Sequence, residues 1–145
     1  NDLLMIDLHD YISSISNDLC KIYGDHKTDV QIDVKSQYFV DIDTAVNLGL
    51  ILTELITNAF KYGKKNNVLS LVITCEKYND EYKLFVSDKG NGVDSSIDLM
   101  KSDTLGIKLI KQLLKQLQGN LSYQNKDGAY FALKFKDSTQ RILVD

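Results

Sequence analysis

Residues 54–63, ELITNAFKYG, lie within the longest apolar helical pattern of the chain and carry polar side chains that a core helix does not need. With about 100° between successive residues, Asn58 and Lys61 fall within about 40° of Glu54 around the helix axis. Leu55 lies about 100° away from Glu54, on the side that faces the core. The stretch therefore predicts a buried helix with a narrow polar stripe along the border of its core face.

The residue types in this stripe suit phosphate chemistry. A glutamate followed four residues later by an asparagine supplies a carboxylate that can orient or deprotonate a nucleophile, and a neutral oxygen ligand suited to Mg²⁺. Lys61, one turn further along, could meet phosphate oxygens. A solvated helix face explains most stripes of this kind, so the stripe alone leaves both interpretations open.

The composition is that of one globular domain over residues 1–145, with 43% hydrophobic and 26% charged residues. The net charge is −3, which argues against a nucleic-acid partner because phosphate-backbone binding requires a basic surplus. No apolar stretch reaches the roughly 20 residues that cross a bilayer. Cys20 and Cys75 have no CxxC spacing, which indicates reduced thiols and predicts a cytoplasmic location.

Hydrophobic periodicity indicates the order of the elements. Helical spacing occurs in three stretches, at residues 8–23, 44–62 and 104–118. Strand-like stretches are two short strands within 30–43, a hairpin of 68–78 and 82–88, and a second hairpin around the turn at 126–128. This order predicts a two-layer α/β (α+β) sandwich, in which three helices pack on one face of a mixed, largely antiparallel sheet of about five strands.

Two of these helices have predicted core faces. In the first, Asp7 is the expected N-cap and Gly24 the expected end. Its expected core positions are Leu8, Ile12, Ile15, Leu19 and Ile22. In the third, the expected core positions are Leu109, Ile110, Leu113, Leu114 and Leu117.

A second candidate site element is SDKGNGV, residues 87–93, at the end of a predicted strand. The alternation that places Val86 on the core face also carries Asp88 inward, where a carboxylate needs a donor. The amino group of adenine would be such a donor. Gly90 and Gly92 would let a ligand approach the main chain, although a simple turn explains this pattern about equally well.

The third element is TLGIKLIKQLL, residues 104–114. Gly106 opens a helix whose first N–H groups could face phosphates, as helix N-termini do for anions. Ordinary helix initiation also explains it.

Together and in this order, the three elements resemble the ATP-binding domain of the Bergerat-fold superfamily, which includes DNA gyrase, mismatch-repair ATPases and histidine kinases. LGLILTELITNAFKYG (48–63) looks like its N box, DKGNG (88–92) like its first glycine box, and TLGIKLIKQLLKQLQGNL (104–121) like its second box. Within the superfamily, these motifs are most similar to those of sensor histidine kinases. Residues 7–24 of this chain, DLHDYISSISNDLCKIYG, also resemble the first helix of that kinase domain. The resemblance covers about residues 5–136.

The resemblance implies roles in binding Mg·ATP for one set of residues on the long helix. In this set Asn58 would bind Mg²⁺, Glu54 would stand where gyrase-type members keep their general base, Lys61 would contact phosphate, and Tyr62 would border the adenine.

A second implied set follows the long helix in the chain. Here Asp88 would accept the adenine amino group, Gly90 and Gly92 would begin the ATP lid, and Thr104, Leu105 and Gly106 would form the turn under the phosphates.

The function that the resemblance implies is that of the catalytic domain of a two-component sensor histidine kinase. It would transfer the γ-phosphate of ATP to a histidine on a separate dimerisation domain, which a response regulator would then use. We expect the acceptor domain to lie upstream, residues 1–6 to be the remnant of that junction, and any membrane anchor to lie in missing upstream segments. His9 and His26 are expected to be surface residues.

Two departures from the family pattern leave alternatives open. Thr53 replaces the usual asparagine before the glutamate, and Ala129 replaces a hydroxyl residue that usually supports the adenine-binding aspartate. One alternative is a serine kinase of the anti-sigma-factor type, which shares the fold. Another is an interaction module that binds nucleotide without catalysis. The last is an α/β domain without a nucleotide site.

Overall fold

The computed structural model describes residues 4–92 and 105–136. The helices in these ranges are α1 Leu8–Tyr23, α2 Ile42–Tyr62 and α3 Leu105–Gln116. The strands are β1 Met5–Asp7, β2 Asp29–Asp33, β3 Phe39–Asp41, β4 Ser70–Tyr78, β5 Glu81–Asp88, β6 Asn120–Asn125 and β7 Ala129–Lys136.

The main sheet has five strands in the order β2-β4-β5-β7-β6. β2 runs parallel to β4, and every other neighbouring pair is antiparallel. The three helices pack on one side of this sheet, which confirms the predicted two-layer architecture. The two strands predicted within residues 30–43 are present but join different sheets, since β3 pairs with β1 in a separate two-stranded sheet. β1 was not predicted because three residues are too few to display a period.

Helix α1 begins and ends where the sequence predicts. The carboxylate of Asp7 accepts the N–H of Asp10 at 3.1 Å, and the N–H of Gly24 donates to the carbonyl oxygen of Cys20 at 2.8 Å. The prediction for Ile22 is wrong, because its side chain is 69% exposed.

The buried stripe of α1 explains this error. Its members are Leu8, Ile12, Ser16 and Leu19, which span about 80° around the axis. Ile22 falls about 40° outside one edge of that stripe, and the sequence spacing of three and four residues does not reveal this drift.

Helix α2 is the central element of the helix layer. It begins two residues earlier than predicted, because the Asp41 carboxylate accepts the N–H of Thr44 at 3.2 Å and acts as the N-cap. Leu48, Leu52 and Leu55 are buried on the sheet side, which agrees with the core face predicted beside the polar stripe.

Helix α3 runs antiparallel to α2, since Asn47 donates to Gln116 at 3.1 Å while Gly106 packs on Glu54. Its buried apolar residues include Ile107, Ile110 and Leu114. The prediction for Leu109 is wrong, because its side chain is 38% exposed and Ile107 takes the expected inward place. Among the described residues, no helix is both long enough and apolar enough to span a bilayer.

Candidate active site

A cavity of about 490 Å³ opens between α2, the end of β5 and the start of α3. It brings together six of the residues that the sequence predicts for the site. These residues are Glu54, Asn58, Tyr62, Asp88, Gly92 and Gly106.

The polar stripe of α2 forms one wall of the cavity. The amide nitrogen of Asn58 lies 3.5 Å from Oε1 of Glu54, one helical turn away, and both side chains are half-buried. Tyr62 lies at the rim and is 78% exposed. Lys61 is exposed and is not among the described residues that line the cavity. Two of the three stripe residues therefore face the cavity directly.

Asp88 lies on the core face of the sheet, where strand alternation predicts it. Its Oδ1 accepts the N–H of Gly90 at 2.9 Å and the N–H of Ala129 at 3.1 Å. Burial raises the pKa of this carboxyl above its usual value, while the two N–H groups act in the opposite direction. One carboxylate oxygen is thus held by two main-chain donors from different segments.

The other oxygen of Asp88 lies against Gly63, directly after α2. A β-carbon at position 63 would overlap Oδ2 of Asp88, so only glycine lets the carboxylate approach the end of the helix. Gly90 packs on the same residue, and a β-carbon on Gly90 would lie 2.7 Å from the carbonyl oxygen of Gly63. Sequence reasoning gave Gly63 no role. The available signal was a glycine at the predicted end of the long helix.

Gly106 borders the cavity at the start of α3 and packs closely in a similar way. A β-carbon at this position would overlap Oε1 of Glu54. The first turn of α3 therefore lies directly against the carboxylate of α2. Leu105 is the first residue of α3, whereas Thr104 lies outside the described residues, so the roles implied for these two residues stay predictions.

The remaining walls are mostly apolar and, apart from Ala129, were not predicted as part of the site. They contain Leu55, Ala59, Leu71, Val86, Ile107, Ala129 and Phe131, together with Ser87. An apolar cleft with a few convergent polar groups is typical of a small-molecule site. Their signal in the sequence was the alternation of the strands, which marks core positions without distinguishing a cavity wall from a filled core.

The comparison with known families matches residues 43–139 to the family described as histidine kinase-, DNA gyrase B-, and HSP90-like ATPase. The sensor histidine kinase ComP of Bacillus subtilis is 28% identical over 92 residues, which are 63% of this chain and 12% of ComP. The blue-light-activated histidine kinase 2 of Erythrobacter litoralis is 25% identical over 145 residues, covering 97% of this chain and 41% of that protein. The sensor histidine kinase PdtaS of Mycolicibacterium smegmatis is 29% identical over 77% of this chain and 22% of its own length.

Solved structures agree with the fold. The histidine kinase domain of the Erythrobacter litoralis EL346 blue-light-activated kinase aligns with a TM-score of 0.82 at 22% identity, over 93% of this chain and 63% of that one. The catalytic domain of the histidine kinase ThkA aligns with a TM-score of 0.80 at 14% identity, over 94% of this chain and 97% of that one. The chain spans less than half the length of the curated relatives named above. Because the family match covers well over half of the sequence, this chain belongs to the histidine kinase-, DNA gyrase B- and HSP90-like ATPase family.

Proposed function

We propose that this chain is the ATP-binding catalytic domain of a sensor histidine kinase, and that it transfers the γ-phosphoryl group of ATP to a histidine on a separate dimerisation domain. A response regulator would receive the group next. The observation that carries the proposal is the convergence of Asp88, Glu54, Asn58 and Gly106 on one apolar-walled cavity. The curated relatives named above are histidine kinases, which favours a histidine acceptor over serine.

Asp88 would recognise the adenine ring. Its Oδ1 already accepts two main-chain N–H groups, which leaves Oδ2 as the acceptor for the exocyclic amino group. Val86, Ile107 and Phe131 would pack against the ring faces. Guanine presents a carbonyl oxygen where adenine presents the amino group, so an ionised Asp88 would disfavour GTP.

Asn58 would hold the magnesium ion that accompanies the triphosphate. Its amide nitrogen is directed at Glu54, which leaves its neutral carbonyl oxygen available as a metal ligand, and Mg²⁺ prefers oxygen ligands. The residues present therefore fit the ion. When bound, Mg²⁺ would compensate the negative charge of the phosphates.

Glu54 would act on the incoming imidazole. In the transfer, one imidazole nitrogen forms a bond to the γ-phosphorus while the bond from that phosphorus to the β–γ bridging oxygen breaks and ADP leaves. A carboxylate within reach of the other ring nitrogen can accept its hydrogen bond and stabilise the positive charge that develops. Lys61, from the exposed side of α2, would reach the phosphates with its long side chain.

Thermal unfolding with Mg·ATP, beside Mg·GTP, tests the nucleotide site. A ligand at about a hundred times its Kd stabilises a protein by roughly 2.7 kcal/mol, which corresponds to a shift of about 5 to 11 °C in a domain of this size. A shift with ATP alone supports the adenine site, and the absence of any shift at millimolar ATP would overturn it.

Phosphoryl transfer needs a second experiment. The chain is incubated with γ-labelled ATP and the histidine-bearing dimerisation domain, and the product is divided between acid and alkali. Label that acid removes and alkali preserves indicates phosphohistidine. Acid-stable label would overturn the histidine kinase assignment in favour of a serine kinase.

A further inference from the structure

Asn125 is the last residue of β6 and lies beside the cavity, outside every motif that the sequence singled out. It pairs with Ala129 across the β6–β7 turn. Its side chain is on the same side of the sheet as Asp88, because it shares the alternation of Leu121 and Tyr123.

The side-chain amide of Asn125 joins two separate segments. Its Nδ2 donates to the carbonyl oxygen of Asn91 at 3.3 Å, and its Oδ1 accepts the N–H of Gly128 at 3.3 Å. It also fills the space beside Gly92, where a β-carbon would lie 2.6 Å from the amide carbon of Asn125. Gly92 has a φ of +73°, so this close approach and this backbone conformation both require glycine.

These two segments are the same ones that hold Asp88. The N–H of Gly90 comes from the segment after β5, and the N–H of Ala129 comes from the segment after the β6–β7 turn. Asn125 ties the first segment one residue further on, at Asn91, and the second segment one residue earlier, at Gly128. A movement of either segment would therefore turn the Asp88 carboxylate and displace the cavity wall at Gly92.

We infer that Asn125 is a positioning residue, which fixes the distance between these two segments and so aims Asp88 at the adenine ring. This inference rests on the proposed function, because the consequence it assigns is measured on nucleotide binding. Asn125 does not touch the reacting atoms and is not itself among the described residues that line the cavity, although it packs on Gly92, which does line it.

Two substitutions separate the parts of the side chain. Asn125→Asp keeps the oxygen that accepts from Gly128, but replaces the donor to Asn91 by an oxygen that repels the carbonyl group. Asn125→Ala removes both bonds. Because single hydrogen bonds are worth little at exposed sites, we expect a melting temperature close to that of the wild type and a roughly two- to tenfold weaker binding of ATP.

Asn120 offers a matched control at the other end of the same strand. It is exposed, and Asn120→Asp makes the same change in charge and volume far from the turn. We expect this variant to bind ATP as the wild type does.

A readout on selectivity distinguishes positioning from a general loosening. Isothermal titration with ATP and GTP gives the ratio of their affinities for each variant. If Asn125 aims Asp88, the ratio falls toward one in Asn125→Asp and Asn125→Ala, while it stays at the wild-type value in Asn120→Asp. Equal ATP affinity and an equal ratio in all four proteins would overturn the inference while leaving the proposed function intact.

The contact itself can be observed without nucleotide. In ¹⁵N spectra of the free protein, Asn125→Asp should shift the amide resonances of Gly92 and Gly128, whereas Asn120→Asp should leave both unchanged. Unshifted resonances in Asn125→Asp would also overturn the inference. If Asn125→Asp shows these shifts but the wild-type protein does not bind ATP, the contact is present and the proposed function is the part that failed.

Discussion

The carboxylate of Asp88 lies directly against the α-carbon of Gly63, so that no side chain fits at position 63. This contact joins the end of α2 to the end of β5 at the wall of the cavity. Gly63 ends the helix, with its N–H donating to the carbonyl oxygen of Ala59 at 2.7 Å. One glycine therefore terminates the long helix and admits the carboxylate that the proposed function assigns to adenine.

Gly63→Ala should destabilise the protein and weaken ATP binding together. The added methyl group overlaps Oδ2 of Asp88, and overpacking of this kind costs about 1 to 3 kcal/mol. Urea unfolding and ATP titration of the same variant measure both effects.

A double-mutant cycle serves as the control for this prediction. In an Asp88→Ala background the overlapping oxygen is gone, so Gly63→Ala should cost clearly less than in the wild type. The same cost in both backgrounds would show that another neighbour, such as the carbonyl oxygen of Ala59, carries the clash.

Asp88→Asn should abolish ATP binding without lowering the stability of the fold. Asparagine keeps an oxygen that accepts from Gly90 and Ala129, and it carries no charge whose burial is unfavourable. Its amide would present a donor to the adenine amino group if the oxygen stays with the two main-chain donors. Asp80→Asn, in the exposed turn at the other end of β5, is the control and should bind ATP normally. Normal ATP affinity in Asp88→Asn would contradict the assignment of this residue.

The pH dependence follows from the raised pKa of Asp88. Burial raises the pKa of Asp88 in the folded protein above its usual value of 3.8. The contribution of this group to stability is therefore complete below pH 3.8, and it is lost as the pH rises through the raised pKa of the folded protein. The stability gained by Asp88→Asn should therefore be larger at neutral pH than near pH 3.8. ATP binding needs the ionised carboxylate, so it should weaken on acidification at a pH above 3.8. Binding that stays constant down to pH 3.8 would contradict this prediction.

Asp88 and Ile22 show what periodicity can and cannot predict. The two-residue period of β5 places Asp88 on the core face correctly, because alternation in a strand does not drift. The predicted core face of α1 was too wide, because it included the exposed Ile22. Residues spaced three or four apart rotate gradually around the helix axis, so such a series drifts off the buried face. Sequence reasoning therefore located the polar site residues on their elements, but misjudged residues at the margins of helix faces.

Gly63 and Asn125 illustrate a different limit. Their roles arise from contacts between segments far apart in the chain, with Asp88 in one case and with Asn91 in the other. No local pattern of hydrophobicity or spacing encodes such a contact. The apolar cavity walls have the same origin, because Val86 and Phe131 look like ordinary core residues until the opposite wall is known.

Ala129→Ser should strengthen ATP binding. Ala129 is 9% exposed, lines the cavity and already donates its N–H to Oδ1 of Asp88 at 3.1 Å. A hydroxyl group at this position adds a donor near the same carboxylate, which favours its ionised form and helps to orient it. We expect a several-fold lower Kd for ATP by calorimetry. Ala132→Ser, on the opposite face of the same strand, is the matched control and should leave the Kd unchanged. Equal affinities in wild type and Ala129→Ser would show that alanine here does not weaken the site.

Tyr82→Phe should lower stability without affecting the nucleotide site. The phenol of Tyr82 is buried, stacks on Phe135 at 5.1 Å and donates to the carbonyl oxygen of Phe39 at 3.0 Å, which joins the main sheet to the β1–β3 sheet. Removing the hydroxyl leaves that carbonyl group without this donor, at a cost of about 1 to 2 kcal/mol. Urea unfolding should show this loss, while Tyr78→Phe, at a site 70% exposed, should change stability little. ATP affinity should stay at the wild-type value in both variants, because Tyr82 lies at the end of β5 remote from Asp88. A loss of ATP affinity in Tyr82→Phe alone would instead indicate that the β1–β3 sheet is coupled to the cavity through this hydrogen bond.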